Sequence, residues 1–306
     1  MAVWWDNLNL ENNIIDIELS STPPPWQSST PLPERQLSTL GSMGFVDNFR
    51  DYNRDDNLGN FLKGKTVALV GPSPHLLGMK KGEYIDSFDF VARVNQNSEM
   101  PQSQWEDYGK RTDILFNCLN INKLNALANR NNDQYFRDLK YIICSMVSMW
   151  DIERVHKFLK GVEKHFDTPW HNVCDGYLFK IFKEIGTTCN TGLTSLITLL
   201  NYDVKGVYMT GMTFFNMNRM GRVYFDEYHD DAVKHGNFKD TKNKQPEPSD
   251  LRMDIHAQQP QIDYFRKIVS KHYGKKLAMD EYLQENFLLG EKNYENSCHD
   301  SRPLGK

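Results

Sequence analysis

Long hydrophobic runs are missing from this sequence. No stretch of its 306 residues approaches the roughly 20 apolar residues that a membrane-spanning helix needs. A secretory leader is not expected either. Where a basic segment followed by an apolar one would stand, the chain has Trp4, Trp5, Asp6 and Glu11. Cysteine is scarce and scattered. Cys118, Cys144, Cys174, Cys189 and Cys298 form no closely spaced pair of the kind that holds a metal. The lack of a leader and of a membrane-spanning run leads us to expect a cytoplasmic location. An excess of positive charge is also lacking. Lys and Arg number 36 against 40 Asp and Glu, a net charge of −4, which argues against a general nucleic-acid binder. The basic run Lys271–Lys276 reads as a solvated face, and no internal repeat is present.

Enough apolar material remains for a sizeable core, 39% hydrophobic and 12% aromatic. Its distribution sets the domain plan. Residues 1–60 contain the Pro/Ser-rich stretch Ser20–Ser38 and the polar, charged stretch Asp47–Asn60, and are expected to form a loosely packed tail. Residues 61–290 are expected to form one domain, and residues 291–306 a C-terminal tail. Within the domain, apolar runs read as strands at Thr66–Val70, Phe88–Val94, Ile114–Cys118, Tyr141–Met146 and Gly206–Thr210. Helical spacing appears at Ile152–Lys164, Tyr177–Ile185, Thr191–Tyr202, Ile262–His272 and Met279–Phe287. Strands alternating with helices predict an α/β fold, a single Rossmann-like domain whose mostly parallel sheet carries helices on both faces.

Four places carry candidate chemistry. The first is Lys65–Asn95. Strand Thr66–Val70 breaks at Gly71-Pro72-Ser73-Pro74, and a new element begins at His75. Strand, glycine-bearing turn and helix start can present backbone N–H groups to a phosphate. The next strand closes on Arg93 and Asn95, where a strand's carboxyl end would meet a ligand. A buried strand with a tight turn and nothing bound accounts for the same residues. The second place is Cys189-Asn190-Thr191-Gly192 before an apolar helix. Asn190 or Thr191 can cap that helix, and Gly192 lets a ligand approach its positive end, although an ordinary capped helix looks the same. The third is Tyr224–Asp231, YFDEYHDD. Asp226, Glu227, His229, Asp230 and Asp231 offer metal-type ligands, but adjacent acids point different ways and usually form a solvated loop. The fourth is His256, just before a helix, a position more often occupied by a surface or capping histidine.

Read together, these stretches resemble the eukaryotic-type sialyltransferase family. The long donor-binding motif of that family is matched by Gly71 and Ser73, then Ile85-Asp86-Ser87, Asp89-Phe90-Val91, Arg93 and Asn95, then Asp107, Gly109, Arg111 and Thr112. The short motif is matched by Thr191, Gly192 and Gly211, the aromatic-plus-His motif by His229, and the final motif by His256. Order is kept over roughly Phe61 to Ser270. Four positions depart from the family pattern: Pro72 for Asn, Cys189 and Asn190 for Pro-Ser, and Gln261 for Glu. The usual disulfide of the family is also absent, since Val67 and a position near Tyr202 stand where its cysteines would be.

The resemblance implies the sialyltransferase-type variant of the GT-A fold and inverting transfer of sialic acid or a related acidic sugar. The donor would be a CMP-sugar and the acceptor a glycan hydroxyl, with no metal and no cofactor. It implies His256 as general base, His229 at the donor phosphate, and Gly71, Ser73, Asn95, Asn190, Thr191, Gly192 and Gly211 around the donor nucleotide. A different Rossmann-type enzyme would need G-x-G-x-x-G after the first strand and an acid at the end of the second; the chain has Gly71-Pro72-Ser73, Arg93 and Asn95. A catalytically weakened CMP- or glycan-binding protein of the same fold also remains open, on account of Pro72, Asn190 and Gln261.

Overall fold

The structure, a computed structural model, describes residues 55–128, 132–145, 152–173, 175–214, 257–272 and 274–287. Seven strands form one sheet: β1 (Thr66–Val70), β2 (Phe90–Val94), β3 (Ile114–Asn117), β4 (Tyr141–Cys144), β5 (Trp170–Asn172), β6 (Gly206–Thr210) and β7 (Leu277–Met279). Every neighbouring pair is parallel, and the order across the sheet is β5-β4-β3-β2-β1-β6-β7. From β1 to β5 the chain moves steadily one way. It then returns to the other side of β1 to lay down β6 and β7. The reversal puts a topological switch point between β1 and β6, and in open parallel sheets the crevice outside the strands' carboxyl ends at such a point is where ligands bind.

The helices are α1 (Asp56–Leu62), α2 (Gly82–Asp86), α3 (Trp105–Tyr108), α4 (Ile121–Ala128), α5 (Asp133–Asp138), α6 (Ile152–Phe166), α7 (Asp175–Ile185), α8 (Thr191–Leu200), α9 (Gln258–His272) and α10 (Glu281–Phe287). Strand side chains alternate between two cores, as the period of two requires. Val67 and Leu69 of β1, with Ala92, Phe116, Ile143 and Met209, pack under α1, α7, α8, α9 and α10. Ala68 and Val70, with Val91 and Tyr208, face Ile85 of α2 and Tyr108 of α3. On that second face, Leu115 and Ile142 lie under α4, α5 and α6. Both faces are therefore covered, which explains why the strands read as continuous apolar runs.

Part of the stretch expected to be a tail is folded. Asp55 caps α1, its carboxylate accepting from the amides of Asn57 and Leu58, and it pairs with His171 of β5 at 3.1 Å. Leu58 and Leu62 are fully buried and Phe61 stacks on Phe90. Residues 55–60 thus belong to the domain, which corrects the expected start at residue 61. Other elements differ from expectation as well. β5 was not foreseen, and the segment from Met279 is split into β7 and α10. No helix among the described residues is long and apolar enough to cross a membrane.

Most of the long motif proves to hold the fold. Arg93 is 2% exposed, and its guanidinium donates to the carbonyls of Tyr108, Gly109 and Arg111 and to the Thr112 hydroxyl. Burial pulls its pKa down to about 10, which still leaves it charged at neutral pH. It therefore ties β2 to the loop after α3, and does not point to a ligand as its place near the end of β2 had implied. The Asp86 carboxylate accepts from the amides of Lys110 and Arg111. Arg111 in turn donates to the carbonyls of Asp86, Phe88 and Asp89. The Asp107 carboxylate accepts from the amides of Gly78 and Lys80, which anchors the loop leaving β1.

Candidate functional site

The crevice is built where β1 and β6 end. The Gly71 amide donates to the Thr210 carbonyl and the Ser73 amide to the Gly211 carbonyl, both at 2.9 Å, so the two exits run against each other. There is no room for a side chain between them. A Cβ on Gly71 would stand 2.3 Å from the Gly211 oxygen, and one on Gly211, whose φ is +70°, 2.3 Å from the Gly71 oxygen. The turn after β1 leads into a single 3-10 turn, Pro74–Leu76, and not into a long helix. A strong helix dipole is therefore not available there.

That dipole comes from α8. A helix leaves its first four amides without intrahelical acceptors. Here the Asn190 amide donates to the Gln261 side-chain oxygen at 2.8 Å, and the Leu193 amide to the Asn190 side-chain oxygen at 2.8 Å. The amides of Thr191 and Gly192 remain as the donors for which neither the helix nor its cap provides an acceptor. They lie at the positive end of the dipole, where an anion is stabilised. Asn95 reaches the same place. It stands past the end of β2 at φ +54°, a conformation Asn tolerates better than most residues. Its side-chain amide donates to the Thr191 hydroxyl at 3.3 Å, while its carbonyl oxygen accepts from the Cys118 amide at 3.1 Å.

Ser73 behaves differently from the other candidates. It is 3% exposed, and its hydroxyl lies 3.1 Å from Nδ1 of His75 rather than facing outward. Nε2 of His75 lies 2.8 Å from Oδ2 of Asp280, the residue after β7. The same carboxylate accepts from the Thr210 hydroxyl, the Gly211 amide and, on its other oxygen, the Leu283 amide. Burial opposes ionisation of Asp280, but the hydrogen bond and charge from His75, with the Thr210 and Leu283 donors, outweigh it and hold the carboxyl below its ordinary value. An ionised Asp280 is acceptor-only, so Nε2 carries a proton. Nδ1 shares the bond at the other side of the ring with the Ser73 hydroxyl. The order Ser–His–Asp is that of a hydrolytic triad, but the ring is reversed relative to that geometry and the serine is buried. We read the network as a tie joining β1, β6, β7 and α10 beneath the crevice.

Asp280→Asn is expected to cost about 3 kcal/mol, the scale of a broken buried ionic hydrogen-bond network. The pH dependence has a definite sign. A carboxyl lowered on folding adds stability above its unfolded pKa, about 3.9, and loses it as pH falls through the lower folded value. Urea denaturation at pH 7 and in the acid range below pH 4 should show the variant's deficit shrinking as the solution becomes more acidic. An equal deficit at every pH would contradict the account.

His75, Asp280 and Met212 escaped the sequence reading. The first two are separated by 205 residues and each is unremarkable alone. Gln261 departs from the family pattern, and the structure gives its local role. It is fully buried, accepts from the Asn190 amide and donates to the Ala257 carbonyl at 3.1 Å. An ionised carboxylate could not make the second bond. Cys189, beside the cap, is buried and its thiol is pushed up to about 12, which makes it an inert neighbour. His229, His256 and the acidic stretch Asp226–Asp231 lie outside the described residues. Ala257 follows His256 directly, and its amide donates to the Thr187 hydroxyl at 3.2 Å, close in sequence to the α8 cap.

No protein-family model matches this chain, and no curated protein matches it. Among solved structures, it is similar to a mammalian sialyltransferase in complex with Gal-beta-1-3GalNAc-ortho-nitrophenol. The two are 15% identical, with 85% of this chain and 90% of that chain covered and a TM-score of 0.43. It is also similar to the sialyltransferase CstII from Campylobacter jejuni in complex with CMP-3FNeuAc. That pair is 20% identical, with 73% of this chain and 85% of that chain covered and a TM-score of 0.46.

Proposed function

We propose that this chain is a glycosyltransferase of the sialyltransferase type, which moves sialic acid or a related acidic sugar from a CMP-sugar to a glycan hydroxyl with inversion. One observation carries the proposal. The motif segments Gly71–Ser73, Asn95, Asn190–Gly192 and Gly211 lie far apart in sequence, yet they meet at the switch-point crevice. The match to donor-binding motifs supplies the identity of the ligand. We take its phosphate to bind at the Thr191 and Gly192 amides, with Asn95 adding polar groups beside them.

In this reading CMP leaves with its negative charge stabilised by the first turn of α8 and by His229, and the acceptor hydroxyl gives its proton to His256 as it attacks. No metal or cofactor is assigned a part. We place the reaction in the cytoplasm, in keeping with a sequence whose cysteines form no closely spaced pair. A dinucleotide enzyme is disfavoured by the 3-10 turn after β1, where such an enzyme needs a helix N-terminus.

Transfer of sugar from CMP-sialic acid to a panel of galactose-terminated glycans, followed by mass spectrometry of the product, tests the assignment. Turnover should survive EDTA. A loss of activity in EDTA restored by Mn²⁺ or Mg²⁺ would overturn phosphate stabilisation by His229 and the helix terminus, and would turn attention to Asp226–Asp231.

A further inference from the structure

Gly192 should let a ligand approach the first turn of α8, but the space it leaves is filled. A Cβ placed there would meet Sδ of Met212 at 2.8 Å and its Cε at 3.3 Å. On the other wall, a Cβ on Gly71 would meet Cγ of the same methionine at 2.6 Å. The Met212 side chain therefore runs from the turn after β1 to the first turn of α8. The two glycines differ in what they require. Gly71 and Gly211 are needed for the crossing of two backbones. Around Gly192 the near atoms are the tip of Met212 and, at 3.4 Å, the Asn190 side-chain oxygen, and nothing marks its backbone as left-handed. Its missing side chain makes room for the thioether.

We infer that Met212 is a displaceable occupant of the crevice, a specificity-determining residue that a donor's phosphate must move aside to reach the Thr191 and Gly192 amides. The inference rests on the donor reading above. The chemistry of the side chain suits the part. Methionine is unbranched, has three rotatable bonds and fills irregular gaps without fixing them. Met212 is only half-buried, so one side of it can turn outward. A β-branched residue with one stiff rotamer could not do the same. A crevice closed most of the time binds its ligand more weakly, by the fraction of time it is open. Met212 therefore lowers the affinity for the nucleotide and limits the bulk that enters beside the phosphate.

The test uses the full chain labelled with ¹³C-methyl methionine. The Met212 resonance is identified by its absence from the spectrum of Met212→Ala, and CMP is then titrated into the wild type. We expect the Met212 methyl signal to move in proportion to occupancy and to saturate with the CMP itself. Met212→Ala should bind CMP more tightly, by up to about tenfold for a crevice open about a tenth of the time. Met212→Ile should bind it about tenfold more weakly, because the branched side chain cannot swing away. A Met212 methyl that stays still at CMP saturation overturns the inference alone. So does a Met212→Ala protein that binds CMP no better than the wild type. Failure of the wild type to bind CMP at all overturns the donor reading and this inference with it.

Discussion

Alanine at position 211 should destabilise the fold by about 4 kcal/mol. Two costs add. The residue holds φ at +70°, a left-handed conformation that costs an L-residue roughly 1–2 kcal/mol. The new Cβ would also stand 2.3 Å from the Gly71 oxygen, 3.0 Å from its carbonyl carbon and 3.1 Å from its nitrogen. All three are backbone atoms of the turn after β1, so no side-chain rotation relieves the overlap. Overpacking of this kind typically costs about 1–3 kcal/mol, occasionally more. Gly64 provides the control, because it holds the same φ of +70° with nothing within 4 Å of its Cβ position. Gly64→Ala should show the conformational cost alone. The comparison is made from urea midpoints of the two variants and the wild type. Equal losses for the two alanines would mean that the β1 and β6 exits do not press together as described.

His256→Ala should lower kcat by about 10²–10⁴-fold, the usual contribution of a general base. CMP affinity should change little, because the base acts on the acceptor and not on the nucleotide. His229→Ala should weaken CMP binding as well as slow turnover, since its proposed partner is the phosphate. The wild-type rate should fall as pH drops through the pKa of the base, near roughly 6.5 for an ordinary imidazole. If His256→Ala keeps the wild-type kcat with a working donor and acceptor, the base has been misassigned. If it loses CMP binding as severely as His229→Ala, it belongs to the donor pocket instead.

Much of this architecture could be read from the chain because burial on both faces leaves a plain trace. Thr66–Val70 and Gly206–Thr210 are apolar runs, and their ends coincide with β1 and β6. β5 and β7 left no comparable trace. Each has three residues at or near the sheet edge, Trp-His-Asn and Leu-Ala-Met, too short for any period to show. α1 was hidden by its charged surroundings, although a signal existed. Asp55 is a capping residue, and Leu58, Phe61 and Leu62 follow at helical spacing. At the crevice, Gly71 stands at a glycine-bearing turn, Asn95 at a strand end and Thr191 at a helix cap, all legible in the chain, whereas Gly211 is marked only by the family resemblance. His75 and Asp280 could not be picked out, since their pairing depends on β7 lying next to β6 in the sheet. The occupancy of the space above Gly192 was equally hidden, because a glycine that admits a ligand and one that admits a neighbouring thioether look alike in a sequence. Arg93 shows the converse. Its position near a strand end pointed to a ligand, and only the fold reveals four protein acceptors around it.

The proposed function requires the crevice between β1 and β6 to hold a cytidine monophosphate. Thermal denaturation of the intact chain with CMP, CMP-sialic acid, CMP-Kdo, UDP, NAD and S-adenosylmethionine, each at the same concentration, tests it most directly. A ligand present at about 100 times its Kd adds about 2.7 kcal/mol to stability, which raises Tm by several degrees in a chain of this size. The account predicts that rise for CMP and the CMP-sugars, and little or none for the other three. A rise with NAD, S-adenosylmethionine or UDP and none with CMP would contradict it.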